Sequence, residues 1–295
     1  MVSVDVFQRV AILGFGLIGS SLGRAIRRHG LAREIVACDS SAEARSDIAA
    51  LDLAHQVVSD PAAAVAGADL VIICTPVGSY GVIGAAIAPC LAPGAIVTDV
   101  GSVKQSVIRD LGPLVPLHAH LVPGHPIAGT EKSGPRNGFA ELFEGRWAVL
   151  TPPPGVSRAA IERVAALWRA IGSEVVEMDA QHHDKVLAIT SHLPHLIAYT
   201  IVGTAVDLEE SLQSEVIKFS AGGFRDFTRI AASDPIFWRD VFLNNREAVL
   251  EMLQRLTEDL AALQKAIRRG EGDFLHERFA RARAIRRGVI EAKQA

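Results

Sequence analysis

Gly14-Phe15-Gly16-Leu17-Ile18-Gly19 follows an apolar run at residues 10–13 and opens a helical stretch that reaches about His29. Three glycines at this spacing, between a strand and a helix, admit few folds. Gly14 serves a tight turn, Gly16 lets the backbone approach a pyrophosphate, and Gly19 permits close packing of helix on strand. The helix start supplies amide donors to the phosphate. Asp39 ends a second expected strand, 34–39, twenty residues beyond Gly19. An acid there accepts bonds from both ribose hydroxyls and repels a 2′-phosphate. Ser40 and Ser41 add no positive charge, so NAD is favoured over NADP. The expected cofactor set is Gly14, Gly16, Leu17, Ile18, Gly19, Asp39 and Thr75, the last following the buried run 70–74. The bland alternatives are a glycine turn with no nucleotide, and Thr75 as a helix cap.

Further short apolar runs recur at 95–98, 119–122, 146–150 and 174–177, with helical patterns at 42–51 and 157–171. Strands spaced by helices imply a parallel sheet with right-handed crossovers. Beyond Met178 the pattern turns helical, at 179–207, 224–232, 235–268 and 274–292. The expected fold is α/β: a Rossmann-type dinucleotide-binding domain at 1–178, then an all-α domain at 179–295. Val249, Leu253, Leu256, Leu260, Leu263 and Ile267 recur at spacings of four and three. That stripe suits a partner helix, in a second copy or in the same chain.

Three segments carry chemistry. Asp99-Val100-Gly101-Ser102-Val103-Lys104 ends a strand, and Ser102 there either contacts substrate or merely caps a helix. In Gly124-His125-Pro126, the proline drives His125 out of helical conformation. A histidine fixed at the ligand edge is placed to act as a general base; its alternative is a ring satisfied by backbone bonds. In Gly222-Gly223-Phe224-Arg225-Asp226-Phe227-Thr228-Arg229, a helix would put Arg225 and Arg229 on one face. Like charges at that spacing repel. An anion, or acids of the same chain, would sit between them. His192 and His195 share one side of a helix, as a pocket wall or a metal pair without an evident third ligand. His182, His183 and Asp184 are read as solvated.

Composition narrows the function. Hydrophobic residues make up 49% and charged residues 21%, the balance of a globular chain. Aromatics at 5% argue against a stacking platform for single-stranded nucleic acid, and a net charge of −3 argues against polyanion partners. The basic tail from Lys265, nine Lys or Arg against four acids, reads as a solvated helix face. Asp5 and the lack of an apolar leader imply no signal peptide, and Pro89, Pro93 and Gly94 interrupt the longest uncharged run. No membrane span is therefore expected. Cys38, Cys74 and Cys90 have no metal-like spacing and read as reduced thiols of a cytoplasmic protein. No metal site is expected.

Taken in order, GFGLIGSSL, VIICTPV, TDVGSVK, GHPIAGTEKSG, SHLPH and GGFRDFTRIAASDPIFWRD resemble the prephenate/arogenate (cyclohexadienyl) dehydrogenase family of tyrosine biosynthesis. The resemblance spans about residues 10–270. Neither a fused chorismate mutase nor an ACT-type regulatory domain is expected. It implies an NAD-dependent oxidative decarboxylation of a 4-hydroxycyclohexadienyl carboxylate. It implies His125 and Ser102 as catalytic residues, His125 accepting a hydrogen bond from the substrate hydroxyl. Arg229 would hold a substrate carboxylate, and His195, Thr130, Glu131 and Trp238 would line the pocket. Arg225 stands where the family often has lysine, which leaves its part open. The family dimerises through the helical domain, and a homodimer is expected here.

Two rival readings remain at this point. A β-hydroxyacid dehydrogenase would need a helix-borne lysine paired with asparagine; Lys185 has Gln181 four residues before it. A non-catalytic NAD sensor would not need His125, Ser102 and Arg229 together.

Overall fold

The structure is a computed structural model and describes residues 7–130, 132–206, 215 and 218–291. It begins with β1 (Phe7–Leu13), whose last four residues are all buried. Burial on both faces marks a strand inside a parallel sheet covered by helices. β2 (Ala32–Cys38), β3 (Gln56–Val58), β4 (Leu70–Ile73), β5 (Ile96–Asp99) and β6 (His120–Leu121) complete a six-stranded sheet. Every pairing is parallel, in the order β3-β2-β1-β4-β5-β6. Connections leave β1 and β4 in opposite directions, which opens a crevice at the carboxyl ends of those two strands.

The connecting helices are α1 (Leu17–Arg28), α2 (Ala42–Ala50), α3 (Pro61–Val65), α4 (Tyr80–Ile87) and α5 (Gln105–Leu111). The starts of two follow from cap chemistry. Ser41 accepts from the Ala44 N–H at α2, and Asp60 caps α3 with Pro61 in its first turn.

Residues 146–150 and 174–177 are strands, as expected, but they lie in a sheet of their own. β7 (Gly124–Pro126), β8 (Trp147–Leu150) and β9 (Glu174–Glu177) form it, with α6 (Arg158–Ala170) between the last two. β7 runs antiparallel to β8, and β8 parallel to β9. Pro123 has no N–H to give, so β6 is short and the chain turns away before β7. This second sheet holds His125.

No strand follows β9 among the described residues. α7 (Ala180–Leu187), a π turn at Ala188–His192 and α8 (Leu193–Val206) run consecutively, then come α9 (Gly222–Thr228) and α10 (Pro235–Asn244). The helix expected over 235–268 is two helices, because Asn245 leaves helical geometry and α11 (Arg246–Arg269) starts afresh. α12 (Gly272–Glu291) follows, and its Arg278 pairs with Asp259 of α11. By compactness the chain divides after Arg246. The first unit holds both sheets and α7 to α10; the second holds α11 and α12.

By length and composition alone, Ala180–Ala205 would pass as a membrane span. Its His183, Asp184 and His192 are nevertheless fully buried and bonded to other polar groups of the first unit. Those bonds tie the first half of the stretch into the first unit.

Candidate active site at the carboxyl edge of the sheet

The glycine turn stands at the crevice between β1 and β4. Gly14 adopts φ +87°, and a Cβ there would meet Thr75 and the Cys74 backbone within 3 Å. A Cβ on Gly19 would lie 2.1 Å from the Gly14 carbonyl oxygen. Gly16, at the N-cap of α1, faces open space. Two glycines therefore bring helix and strand together, and the third leaves room beside the helix amides. Leu17 and Ile18 open that helix. Asp39 already accepts from the Phe15 N–H at 2.9 Å and the Ser41 N–H at 2.9 Å. A carboxylate has about four acceptor positions, so ribose hydroxyls can still bond to it. The Thr75 hydroxyl bonds to Ser79 at 2.8 Å, while Pro76 takes the cap position of the following turn. These residues fit a dinucleotide.

A second cluster hangs from the end of β5. Asp99 Oδ2 accepts from Lys104 Nζ at 2.5 Å, from the Gly101 N–H at 2.8 Å and from the Tyr80 hydroxyl at 3.2 Å. Its Oδ1 accepts from the Gly124 N–H at 3.1 Å, and Lys104 Nζ donates to the Gly124 carbonyl at 2.6 Å. Lys104 and Asp99 are fully buried. This pair ties the start of β7 to the end of β5, and so fixes where His125 stands. Ser102 does not cap α5, whose N-cap is Lys104. The Ser102 hydroxyl is buried and has no hydrogen-bond partner among the described residues.

His125 is partly buried, and its Nδ1 lies 2.9 Å from His183 Nε2. Burial, then the neighbouring His183, Lys104 and His192, push its pKa well below 6.5. His183 and Asp184 correct the solvated reading: both are fully buried. Asp184 accepts from the Lys104 N–H at 2.7 Å and the Gln105 N–H at 2.9 Å, capping α5 from another helix. The buried stripe of α7, Ala180, His183, Asp184 and Leu187, has helical spacing. That spacing is the signal by which sequence alone can find the pair.

The helical wall gathers further candidates. The His195 ring stacks on Trp238, with centroids 3.6 Å apart, and its Nδ1 lies 2.9 Å from the Ser191 carbonyl. His192 meets Trp238 edge-on, and its Nδ1 lies 3.0 Å from Asn245 Nδ2. Burial lowers the pKa of His192 to about 4. Burial also lowers that of His195, the Ser191 carbonyl offsets part of this, and the Arg229 charge adds to the lowering. Trp238 is itself nearly buried and serves as the platform under His195. Arg225 and Arg229 do not share one regular helix. α9 ends at Thr228, and Arg229 begins a tighter turn. Arg225 is exposed on α9. Thr130 is exposed, its hydroxyl accepting from the Lys132 N–H at 3.2 Å. Glu131 lies outside the described residues.

A turn shaped for a pyrophosphate, an acid set for a ribose and an imidazole beyond the same sheet edge define a nicotinamide-dependent dehydrogenase. Comparison with known proteins narrows the class. The family described as "Prephenate dehydrogenase, nucleotide-binding domain" matches residues 22–177, and "Prephenate dehydrogenase, dimerization domain" matches 179–281. The chain belongs to the prephenate dehydrogenase family. It is 43% identical to the cyclohexadienyl dehydrogenase of Zymomonas mobilis, over 96% of each chain. With the prephenate dehydrogenase of Bacillus subtilis it shares 33% identity, over 95% of this chain and 76% of that one. Among solved structures, prephenate dehydrogenase from Aquifex aeolicus, in complex with hydroxyphenyl propionate and NAD+, superimposes with a TM-score of 0.89. That pair is 33% identical, over 96% of this chain and 98% of the other.

Proposed function

We propose that the protein catalyses NAD-dependent oxidative decarboxylation of prephenate, arogenate or both, giving 4-hydroxyphenylpyruvate or tyrosine. The observation that carries this reading is His125, a partly buried imidazole whose Nδ1 lies 2.9 Å from His183 Nε2 and whose pKa is pushed down by burial. It lies on the same edge as the buried Ser102 hydroxyl that ends the β5 segment, unpartnered among the described residues. Loss of hydride from a carbinol carbon requires an acceptor for the hydroxyl proton, and a neutral imidazole is that acceptor. Ser102 supplies a second hydrogen bond at the same oxygen. Bound NAD supplies the hydride-accepting nicotinamide ring. Gly14, Gly16, Leu17, Ile18 and Gly19 would hold its pyrophosphate and Asp39 its adenosine ribose, with Thr75 on the nicotinamide side. Arg229 holds a substrate carboxylate, and His195, Thr130 and Trp238 line the pocket, as the family resemblance also implies for Glu131. Arg225 sits close in sequence and adds positive charge to that end of the pocket. Loss of CO2 aromatises the ring and makes the reaction effectively irreversible.

The same reading sets cofactor choice. Asp39→Asn removes the charge that repels a 2′-phosphate and weakens the ribose bonds. Charged hydrogen bonds contribute about 1.5–3 kcal/mol, so kcat/KM for NAD falls roughly 10- to 100-fold. Turnover with NADP rises at the same time. Initial rates with each dinucleotide test this, and an unchanged NAD/NADP ratio would remove Asp39 from the ribose site.

The functional division we propose falls near residue 178, between a dinucleotide-binding part (1–178) and a helical part (179–295). Assembly is a homodimer through the helical part. Along α11, Leu260 and Ile267 are exposed and Leu253, Leu256 and Leu263 half-buried, which leaves much of that stripe for a second copy. The protein works in the cytoplasm on a small-molecule substrate, without nucleic-acid or membrane partners, and its three cysteines are free thiols. Lys185, which a β-hydroxyacid dehydrogenase would need in its site, is exposed.

The test is NADH formation by purified protein with NAD and either prephenate or arogenate. Turnover on one names the specificity, and turnover on both makes the protein a cyclohexadienyl dehydrogenase. NAD binding without turnover on either would overturn the reading.

A further inference from the structure

We infer that His183 and Asp184 form a two-residue relay behind His125, which fixes its tautomer and shares the proton it takes from the substrate. The inference rests on the activity proposed above and adds the groups that make His125 a competent acceptor.

The chain of bonds is short and buried. Asp184 Oδ1 lies 2.8 Å from His183 Nδ1, and His183 Nε2 lies 2.9 Å from His125 Nδ1. A carboxylate only accepts, so His183 Nδ1 carries a hydrogen and donates it. In a neutral His183 the other nitrogen, Nε2, then holds a lone pair. The single bond that fits is donation from His125 Nδ1–H to His183 Nε2. His125 Nε2 is thereby left with its lone pair, free for the substrate hydroxyl. Reversing any bond in the chain would put a hydrogen on Nε2 and block the acceptor.

Burial lowers the pKa of both rings, and at His183 the bond to Asp184 and the Asp99 charge offset part of that lowering. The groups facing them are Asp99 from β5, Lys104 at the start of α5, His192 from the π turn and Asn245 beyond α10. Lys104 is paired with Asp99, and its charge works against protonating either imidazole. His192 meets Asn245 through Nδ1, and burial holds it neutral above about pH 4. Asn245 also donates to the Asp184 backbone carbonyl at 2.8 Å, fixing the residue that anchors the chain. The two N–H groups of Lys104 and Gln105 hold the Asp184 carboxylate at the start of α5, where the helix dipole favours negative charge.

Relay and reaction balance. As the C4–H bond breaks and hydride leaves for the nicotinamide, the hydroxyl proton moves toward His125 Nε2. The Nδ1–H of His125 then shifts toward His183 Nε2, and the Nδ1–H of His183 is held more tightly by Asp184. The positive charge is spread over two imidazoles against one buried carboxylate. When the bond to the ring carboxylate breaks and CO2 departs, its electron pair aromatises the ring and the proton returns to the oxygen. No net proton is consumed. His183 and Asp184 are positioning residues, because each acts through His125.

Two variants test the relay, with NAD and whichever substrate the wild-type protein accepts. Asp184→Asn removes the buried charge that strengthens the His183 bond and leaves an amide N–H against the Gln105 N–H, while His183→Gln breaks the chain. Each is expected to lower kcat about 100-fold, with KM for substrate and Kd for NAD within threefold of wild type. The acid limb of the kcat profile should move in both. Proton NMR of the protein gives a readout independent of turnover. A strongly downfield Nδ1–H resonance of His183 is expected in wild type and absent in both variants. Should Asp184→Asn fail to fold, His183→Gln carries the test alone. A folded His183→Gln with kcat within threefold of wild type and an unmoved pH profile overturns the relay, as does absence of the downfield resonance in wild type. Failure of the proposed activity shows differently, as a wild type that binds NAD and turns over neither acid.

Discussion

His125→Asn lowers kcat by about 10²- to 10⁴-fold, the usual contribution of a positioned general acid or base. NAD binding is expected to stay within a few-fold of wild type, because the proposed dinucleotide site is built on Gly14, Gly16 and Asp39 rather than on His125. Asparagine keeps a hydrogen-bonding group of similar size but takes up no proton, so the loss reports proton acceptance. The wild-type pH profile carries the companion expectation. The active form of His125 is neutral, and burial beside His183 and Lys104 pushes its pKa well below 6.5. A lowered pKa keeps the neutral form populated as pH falls through the usual imidazole range. The acid limb of kcat/KM is therefore expected below the usual imidazole range, and in His125→Asn that limb disappears. Near-normal kcat in a folded His125→Asn would sink the assignment.

What the sequence made legible was local. Gly14, Gly16, Gly19 and Asp39 answer constraints set within one strand, one turn and one helix, so their spacing alone points to a dinucleotide. β1, β4 and β5 were readable because central parallel strands are continuous apolar runs. β7 was not, being three residues long with a proline in it and lacking any period. Residues 146–150 and 174–177 were readable as strands, but no local signal says which sheet they join. Lys104 reads as a surface lysine until Asp99 and the Gly124 carbonyl are brought to it by the fold. His183 looks like a helix-start residue in water, because its partner His125 is 58 positions away. The structure puts it on the buried stripe of α7, with Ala180, Asp184 and Leu187, and a polar pair at such positions is a sign of chemistry. The break at Asn245 was hidden for a related reason. Its side chain serves Asp184 and His192 rather than its own helix.

Arg229→Ala tests the other end of the pocket, and its expected effect falls on substrate affinity. The Arg229 charge acts on His195, whose ring is fixed by the Trp238 stack and the Ser191 carbonyl. A guanidinium there meets a carboxylate with two parallel bonds. Hydrogen bonds to charged groups contribute about 1.5–3 kcal/mol, which corresponds to a rise in KM of roughly 10- to 100-fold. The NAD KM should not move, since the dinucleotide site lies at the glycine turn. Arg229→Lys keeps the charge and loses the fork, so it should fall between wild type and alanine. Raised salt should increase the wild-type KM and leave that of Arg229→Ala nearly flat, because only the former relies on an exposed charge. An alanine variant whose substrate KM matches wild type takes Arg229 out of the carboxylate site. The exposed Arg225 on α9 would then be the cation to test next.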